Sequence, residues 1–236
     1  DQGYDEIAPI GSHSVTIPGA VDAWDRLVRD HGSLPLSEIL KPAIKVARAG
    51  SPVTQRVSID FAGSGDKLKD CVNASAVFRP NGSILKVGET ILQPKLADTL
   101  EIIGNEGRDG FYQGDVAEDI VSYLKSRGGL HTLDDFTNER GDYVTPISAK
   151  YKGYDVYQCP PNGQGVIALM LLKLIERCEK SGEGPLNLER VHREIEACRL
   201  TYHQRDAYLA DPDQVYVPVE EMLSDKNIDQ MYEKIN

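Results

Sequence analysis

Hydrophobic residues follow a helical period along most of this 236-residue chain, and one segment is apolar almost throughout. From Val166 to Ile175 only Lys173 interrupts the apolar run. A helix that is apolar on all sides packs inside a protein, and a run of this length is too short to cross a bilayer. The pattern therefore predicts a buried helix at the centre of this part of the fold.

The residues ahead of that helix predict two short strands and a turn. Aromatic and β-branched residues at 151–157 favour strands on both sides of Gly153. Pro160 and Pro161 end the ladder, because proline has no N–H to donate. The next four residues, NGQG at 162–165, form a turn, and the N–H groups at the helix start could face a ligand. Since NGQG lacks the lysine and hydroxyl of a phosphate-binding loop, a turn that delivers a core helix is the simpler interpretation.

Apolar residues at helical spacing predict further helices on both sides of this element. Val21, Trp24, Leu27 and Val28 share one face of the first of them. The predicted helices span about 20–31, 35–50, 94–104, 115–127 and 188–209. Helices clearly outnumber strands in this pattern.

Other segments carry weaker or more local signals. Pro42 predicts a kink or a restart within the second helix. Thr132 and Asp135 have the spacing of a capping box that starts a short helix. Glycine and proline punctuate residues 60–88, which predicts loops and short pieces, and residues 219–231 predict one amphipathic piece.

Composition narrows the class of protein. Forty per cent hydrophobic and 27% charged residues are ordinary for a globular protein. The net charge of −11, without a block of basic residues, argues against binding of nucleic acid. No transmembrane run or signal peptide is visible, so we expect no membrane partner. The chain does not begin with Met, so a leader could have been removed.

The four cysteines, Cys71, Cys159, Cys178 and Cys198, are widely spaced and form no CxxC pair. This spacing gives no support to a zinc ribbon or a disulfide framework. Free thiols favour a reducing compartment slightly, which leaves the compartment open with a small preference for the cytoplasm. Cys159 lies beside the turn, and a Cys–His pair with one of the five histidines stays open, although the spacing gives it no support.

One candidate metal site lies on the long helix predicted at 188–209. His192, Glu196 and His203 would point the same way, since eleven residues complete about three turns. The arrangement lacks the H-E-x-x-H pattern of metalloproteases, so capping or orienting neighbouring loops is the simpler interpretation.

Three aspartates after that helix invite a calcium or acid–base hypothesis. Asp206, Asp211 and Asp213 cluster around Pro212. Asp-Pro-Asp is more often a helix stop and a turn whose side chains accept from nearby backbone N–H groups. From the residues alone, no complete active site is visible.

Six segments in chain order carry a more specific signal. They are SVTIPGAVDAW at 14–24, GSLPLSEILKPAIKVARAGSPV at 32–53, GRDGFYQGDVAEDIV at 107–121, GGLHTLDDF at 128–136, GYDVYQCPPNGQG at 153–165, and HREIEACRLTYHQRDAYLADPD at 192–213. Together they resemble the γ-glutamyltransferase family of N-terminal-nucleophile hydrolases. The resemblance covers almost the whole chain and is loosest at residues 60–80.

The resemblance implies a fold and a place within it. The family fold is an αββα sandwich, and the expected class here is α+β, the helix-rich part of the large subunit. Residues 1–236 would form a single large-subunit segment. Its helical regions would lie at about 19–136 and 188–236, and a strand–turn–helix at about 144–176 would contribute to the sheet.

The resemblance also implies a mechanism. The precursor cleaves itself, and the new N-terminal threonine of the small subunit attacks an amide with its own α-amino group as base. The acyl group then passes to water or to an amine. That threonine lies outside this chain, so we assign no catalytic residue here and expect the segment alone to be inactive. The implied partners are the small subunit and a small amide or γ-glutamyl substrate, and we expect no cofactor and no metal.

One departure from the family pattern bears on the substrate. In true γ-glutamyltransferases an arginine before the E-x-AP motif holds the substrate α-carboxylate in a bidentate pair. Here the motif reads YDEIAP at 4–9, with Asp5 in that position. Aspartate would repel a carboxylate, and PPNGQG in place of a Ser- or His-containing turn also favours amidohydrolase or acylase-like members. Asp5 as a turn residue in a diverged loop is the local alternative.

These considerations give the predicted site. Asp5 bears on substrate selection, and Asn162 and Gln164 line the substrate site. His192, Glu196 and Arg205 belong to the scaffold. Three alternatives stay open: a genuine γ-glutamyl transferase or hydrolase acting on glutathione-like substrates, a non-catalytic helical binding or assembly module, and a metal-dependent enzyme.

Overall fold

The computed structural model describes residues 7–8, 10–69, 71–178, 184 and 186–235. The chain divides into two compact units, Asp1–Gly141 and Asp142–Asn236. None of the helices within those described ranges is long and apolar enough to cross a membrane.

The first unit is built mainly from helices. They are α1 (Ala20–His31), α2 (Leu36–Ala49), α3 (Gln55–Gly63), α4 (Gly65–Lys69), α5 (Val72–Phe78), α6 (Pro94–Glu106), α7 (Asp109–Tyr112), α8 (Gly114–Ser126) and α9 (Leu133–Asn138). Short 3₁₀ turns occupy Ser12–Ser14 and Pro80–Gly82. Two strands of two residues each, β1 (Ser51–Pro52) and β2 (Thr90–Ile91), pair antiparallel.

The core of this unit joins α1, α2, α6, α7, α8 and α9. Its buried side chains include Val21, Ile103, Tyr112, Val121 and Phe136. Helix α2 packs along α6. These contacts bury one apolar residue or more from each of the six helices.

Gly50 is the residue that lets β2 close against the end of α2. Its φ is +87°, a left-handed conformation that favours glycine. A Cβ at this position would lie 2.4 Å from the Thr90 side chain. Glycine therefore meets two needs at once, the helix stop and the close approach.

The predictions for this unit succeed for the regular helices and fail in the details. Helix α1 has the predicted bounds, and Val21 is buried, but Trp24 and Leu27 are 42% and 51% exposed. Helix α2 continues through Pro42 as one element, so the helix does not restart there. Most of residues 60–88 lie in short helices, α3 to α5, where the pattern predicts loops and short pieces without identifying the pieces as helices. The longest of them has nine residues, which is fewer than the window of about 11–18 residues in which a hydrophobic period identifies a helix.

The second unit contains a hairpin and four helices in its described part. Strands β3 (Ile147–Tyr151) and β4 (Tyr154–Gln158) pair antiparallel, with Ile147 opposite Gln158 and Tyr151 opposite Tyr154. The helices are α10 (Gly165–Cys178), α11 (Leu188–Tyr208), α12 (Val219–Leu223) and α13 (Asp225–Tyr232).

The predicted strand–turn–strand is confirmed. Lys152 and Gly153 both have positive φ, at +49° and +82°. Two consecutive residues with positive φ match the twist of a tight hairpin. The hairpin packs on α10, and alternate residues of β3 face inward.

Helix α10 is the buried element that its composition predicts. Val166, Met170 and Leu174 are fully buried, in one cluster with side chains from α11, α12 and α13. The amphipathic piece predicted at 219–231 is instead two helices. They break at Ser224, whose extended backbone and hydroxyl cap α13 through the Asn227 N–H. The observed fold class is α+β, as predicted.

Candidate functional site

The turn between β4 and α10 brings the predicted residues Asn162 and Gln164 to the surface. Both side chains are exposed. The Gln164 carbonyl oxygen accepts from the N–H groups of Ile167 and Ala168, at 3.1 and 3.2 Å. These bonds begin α10 at the position that the proline pair and the glycine-rich turn predict.

Gly165 holds this turn close to the end of β4. A Cβ at Gly165 would lie 2.5 Å from the Cys159 carbonyl oxygen and 2.8 Å from the Gln158 Cβ. A Cβ at Gly163 would meet nothing within 4 Å. The requirement for glycine is therefore a close backbone approach at one position of the turn only.

A charged side chain from α11 reaches the turn. The Arg205 Nη1 lies 3.5 Å from the Gln164 Oε1. Arg205 stacks over the Tyr202 ring, with 4.5 Å between the guanidinium carbon and the ring centroid. Its Nε and Nη2 each lie 2.8 Å from the Asp206 Oδ1. Sequence reasoning missed this contact, because 41 positions separate the two residues.

The structure thus treats the three predicted site residues differently. Gln164 contacts a fixed cation, and Asn162 lies on the same turn without such a contact among the described residues. Asp5 lies outside the described residues. The arrangement offers amide groups and one guanidinium at the start of a helix, which is chemistry suited to polar oxygen atoms of a ligand.

The candidate metal site finds no support. Among the described residues, no three His, Cys, Asp or Glu side chains come together as a metal-binding group. Glu196 accepts from Arg199 at 2.8 Å. The shared helix face of His192, Glu196 and His203 is therefore not a ligand set within the described part of the chain.

The aspartates after α11 have the structural role that the sequence favours. The Asp211 carboxylate accepts from the Asp213 N–H at 3.0 Å, and Asp206 pairs with Arg205. The four cysteines are free thiols, with Cys159 exposed and Cys178 buried.

A buried charged cluster in the first unit is a second candidate. Asp22 is only 3% exposed. Its two carboxylate oxygens accept from the Arg108 Nε and the Gly141 N–H, each at 2.8 Å. Arg108 also donates to the carbonyl oxygens of Thr137 and Glu139, at 2.9 and 2.5 Å. The charged groups of this ion pair are thereby occupied inside the unit.

The titration behaviour of the cluster follows from its burial. Burial raises the pKa of the Glu139 carboxyl, the Asp22 carboxylate adds to that rise, and Arg108 opposes it. Burial also raises the pKa of the Tyr112 hydroxyl, which donates to the Pro18 carbonyl oxygen. Asp22 and Arg108 form hydrogen bonds with each other and with the backbone. We therefore interpret the role of the cluster as structural, fixing residues 137–141.

The second unit also contains a polar groove of about 530 Å³ between α11, α12 and α13. Gln204, Met222 and Asn227 lie along it. The Gln204 side chain donates to the Asn227 side-chain oxygen at 3.4 Å, and the Asn227 side chain donates to the Met222 carbonyl oxygen at 2.9 Å. These bonds hold two of the side chains that line the groove in place.

Comparison with known proteins gives the family context. A family model described as Gamma-glutamyltranspeptidase matches residues 1–236. The chain is 35% identical over 222 residues to the glutathione hydrolase-like YwrD proenzyme of Bacillus subtilis (strain 168), covering 94% of this chain and 42% of that protein. It is also 35% identical over 222 residues to the glutathione hydrolase proenzyme of Escherichia coli (strain K12), covering 92% of this chain and 38% of that protein.

A solved structure shares the fold. The cephalosporin acylase from Bacillus halodurans superposes with a TM-score of 0.88 at 33% identity, covering 99% of this chain and 45% of that chain. The chain thus spans less than half the length of these three proteins. Its α+β fold is that of one part of a larger architecture.

Proposed function

This chain belongs to the γ-glutamyltranspeptidase family, and from that premise we propose that it is the large-subunit segment of a γ-glutamyltransferase-like amidohydrolase or acyltransferase. The whole protein is a precursor that cleaves itself. The observation that carries the proposal is the family match over residues 1–236, together with relatives whose names call them proenzymes.

The chemistry of the whole protein follows from an N-terminal threonine outside these 236 residues. Its hydroxyl oxygen attacks the amide carbonyl carbon while its own α-amino group takes the proton. The amine leaves with a proton, and an acyl-enzyme remains. Water or a second amine then takes the acyl group and restores the hydroxyl, with backbone N–H groups stabilising the oxyanion in both steps. Nucleophile and base belong to one residue, so the proposal needs no cofactor.

This chain contributes substrate contacts and a frame for the small subunit. We assign Asn162 and Gln164 to the lining of the substrate site. The exposure of their amides at the start of a buried helix supports this assignment. Residues 1–236 act as one large-subunit segment, and the partner is the small subunit that carries the threonine.

The substrate is an amide other than a standard γ-glutamyl bond. Asp5 stands where a γ-glutamyltransferase would place the arginine that pairs with the α-carboxylate. Two negative charges brought together in a binding site repel each other. An acyl group without that carboxylate is therefore the better substrate, in keeping with the acylase among the similar structures.

Two p-nitroanilides test this point because they differ in one group. γ-Glutamyl-p-nitroanilide carries the α-carboxylate, and 4-aminobutyryl-p-nitroanilide lacks only that carboxylate. We expect the processed full-length protein to show the higher kcat/KM for the second. Asp5→Arg should raise kcat/KM for the γ-glutamyl substrate by roughly 10-fold or more, since a charge-assisted pair is worth about 1.5–3 kcal/mol. Asp5→Asn is the control that removes the charge without supplying a bidentate donor.

A genuine γ-glutamyl hydrolase is the second candidate. It is favoured by the 35% identity to the E. coli protein named as a glutathione hydrolase. Under this alternative the wild type prefers γ-glutamyl-p-nitroanilide, and Asp5→Asn leaves that preference unchanged. This result would overturn the substrate assignment and leave the amidohydrolase mechanism in place.

A further inference from the structure

Arg205 is held in place by its own helix. It lies over the Tyr202 ring on one side and pairs with Asp206 through two nitrogens. The remaining terminal nitrogen, Nη1, points at the turn that precedes α10, 3.5 Å from Gln164. A guanidinium with two neighbours on its own helix loses little further freedom when it meets a third.

The chemistry of the guanidinium decides which end of the Gln164 amide it can meet. Arginine has five N–H donors and no acceptor. It therefore attracts the amide oxygen and repels the amide NH₂ group. The distance of 3.5 Å is at the long limit of a hydrogen bond, so the preference for the amide oxygen comes mainly from the charge of the guanidinium.

The NH₂ group of Gln164 is left as a donor on the exposed side of the turn. In the described part of the chain it has no hydrogen-bond partner, and the side chain is exposed. Gly165 fixes the backbone below it through the close approach to Cys159. The turn thus has a backbone that packs closely at Gly165 and an amide donor directed away from Arg205.

We infer that Arg205 is a positioning residue for substrate recognition: it turns the Gln164 amide so that its NH₂ group donates to an acceptor oxygen of the bound acyl group. The ligand chemistry this selects is the carbonyl oxygen of the acyl group, which both p-nitroanilides carry. The inference rests on the proposed function and gives Arg205 a role beyond the scaffold.

The kinetic test uses the processed full-length protein and whichever of the two p-nitroanilides the wild type hydrolyses faster. We expect Arg205→Met to raise KM roughly fivefold with little change in kcat, because one oriented neutral hydrogen bond contributes about 1 kcal/mol to binding. Arg205→Lys keeps a cation and should recover part of the loss. Arg199→Met is the matched control, since Arg199 lies on the same helix, pairs with Glu196 and does not reach the turn.

A double variant separates positioning from general weakening of the fold. If Arg205 acts only through Gln164, then Arg205→Met with Gln164→Leu has the KM of Gln164→Leu alone. The inference would be overturned if the KM of the double variant rose by the product of the two single effects. Equal KM values for Arg205→Met and Arg199→Met would also overturn it.

A crystal structure of the Arg205→Met protein gives a readout that does not depend on turnover. We expect the Gln164 side chain to leave its wild-type rotamer while the Gly165 backbone stays in place. An unchanged Gln164 side chain would reject the positioning role even if the protein hydrolyses neither substrate. Absence of activity with a displaced Gln164 would instead count against the proposed function alone. If Arg205→Met does not fold, the same two measurements apply to Arg205→Lys, where partial displacement and an intermediate KM are expected.

Discussion

At the residue scale, the buried ion pair of Asp22 and Arg108 fixes the backbone of residues 137–141. The two side chains are 4% and 10% exposed. A buried charge is costly unless it is paired and hydrogen-bonded. Here both oxygens of Asp22 accept bonds, and Arg108 reaches the backbone of residues 137 and 139.

Removal of one partner should therefore be severe. Arg108→Met leaves the buried Asp22 carboxylate without its hydrogen-bonded cation, with only Arg26 remaining at 3.9 Å, and we expect a loss of about 3 kcal/mol in the free energy of unfolding. Urea unfolding of the full-length protein, followed by circular dichroism, measures it. Lys69→Met removes the cation of an exposed pair with Asp66 and should change the unfolding midpoint little. Equal shifts for the two variants would show that Asp22 is not buried as described.

Glu139 gives the cluster a pH dependence of known sign. Its folded pKa is raised above the ordinary value of 4.5 by burial and by Asp22. At pH values well below 4.5 the Glu139 carboxyl is protonated in both the folded and the unfolded state. As the pH rises, Glu139 ionises first in the unfolded state, so the folded state binds more protons and the stability of the protein falls. Glu139→Gln removes this loss.

Melting temperatures between about pH 4 and pH 8 test this expectation. The Glu139→Gln protein should gain stability relative to the wild type as the pH rises, with most of the gain complete by neutral pH. Glu118→Gln, an exposed residue of α8, supplies the control curve. A gain for Glu139→Gln that is largest at the acid end would contradict the stated direction.

Interactions between residues close in sequence could be predicted, and those between residues far apart in sequence could not. The Thr132–Asp135 capping box is confirmed with both of its reciprocal bonds, because three residues fix its geometry. Asp22 and Arg108 stand 86 positions apart, and Gln164 and Arg205 stand 41 apart. Nothing in the local pattern marks such pairs, since the packing of helices brings them together.

At the element scale, the strand–turn–helix from β3 to α10 is the part of the fold that the sequence predicts most fully. Prolines, glycines and an apolar run each indicate a distinct step of it, and all steps are observed. The break at Ser224 is not predicted, and residues 60–88 are predicted only as loops and short pieces, without helix bounds. In those places the segments are shorter than the window of about 11–18 residues needed to identify a hydrophobic period.

The turn itself can be tested with two glycines. Gly165→Ala puts a Cβ against the Cys159 carbonyl oxygen, and we expect a loss of about 1–3 kcal/mol from the forced shift. Gly163→Ala, two positions earlier in open space, should be close to the wild type. Urea unfolding midpoints compare the two variants. If both alanines are tolerated equally, then the turn does not pack against β4 in the way described.

At the scale of the whole molecule, the family could be predicted from the sequence, while the substrate is a matter for experiment. Six segments in order led to the γ-glutamyltransferase resemblance, and the family match over residues 1–236 confirms it. The predicted substrate site includes Asp5, which lies outside the described residues, and it is completed only by the proposed small subunit. The assignments of Asp5, Asn162 and Gln164 to the substrate site therefore stay predictions.

The central claim is that these residues are one half of a self-cleaving enzyme. Intact mass and N-terminal sequencing of the protein made from the whole reading frame test it most directly. We expect two chains, the smaller beginning with threonine, and a single chain when that threonine is replaced by alanine. A single uncleaved chain from the unaltered reading frame would contradict the hydrolase mechanism and leave a helical binding scaffold in its place.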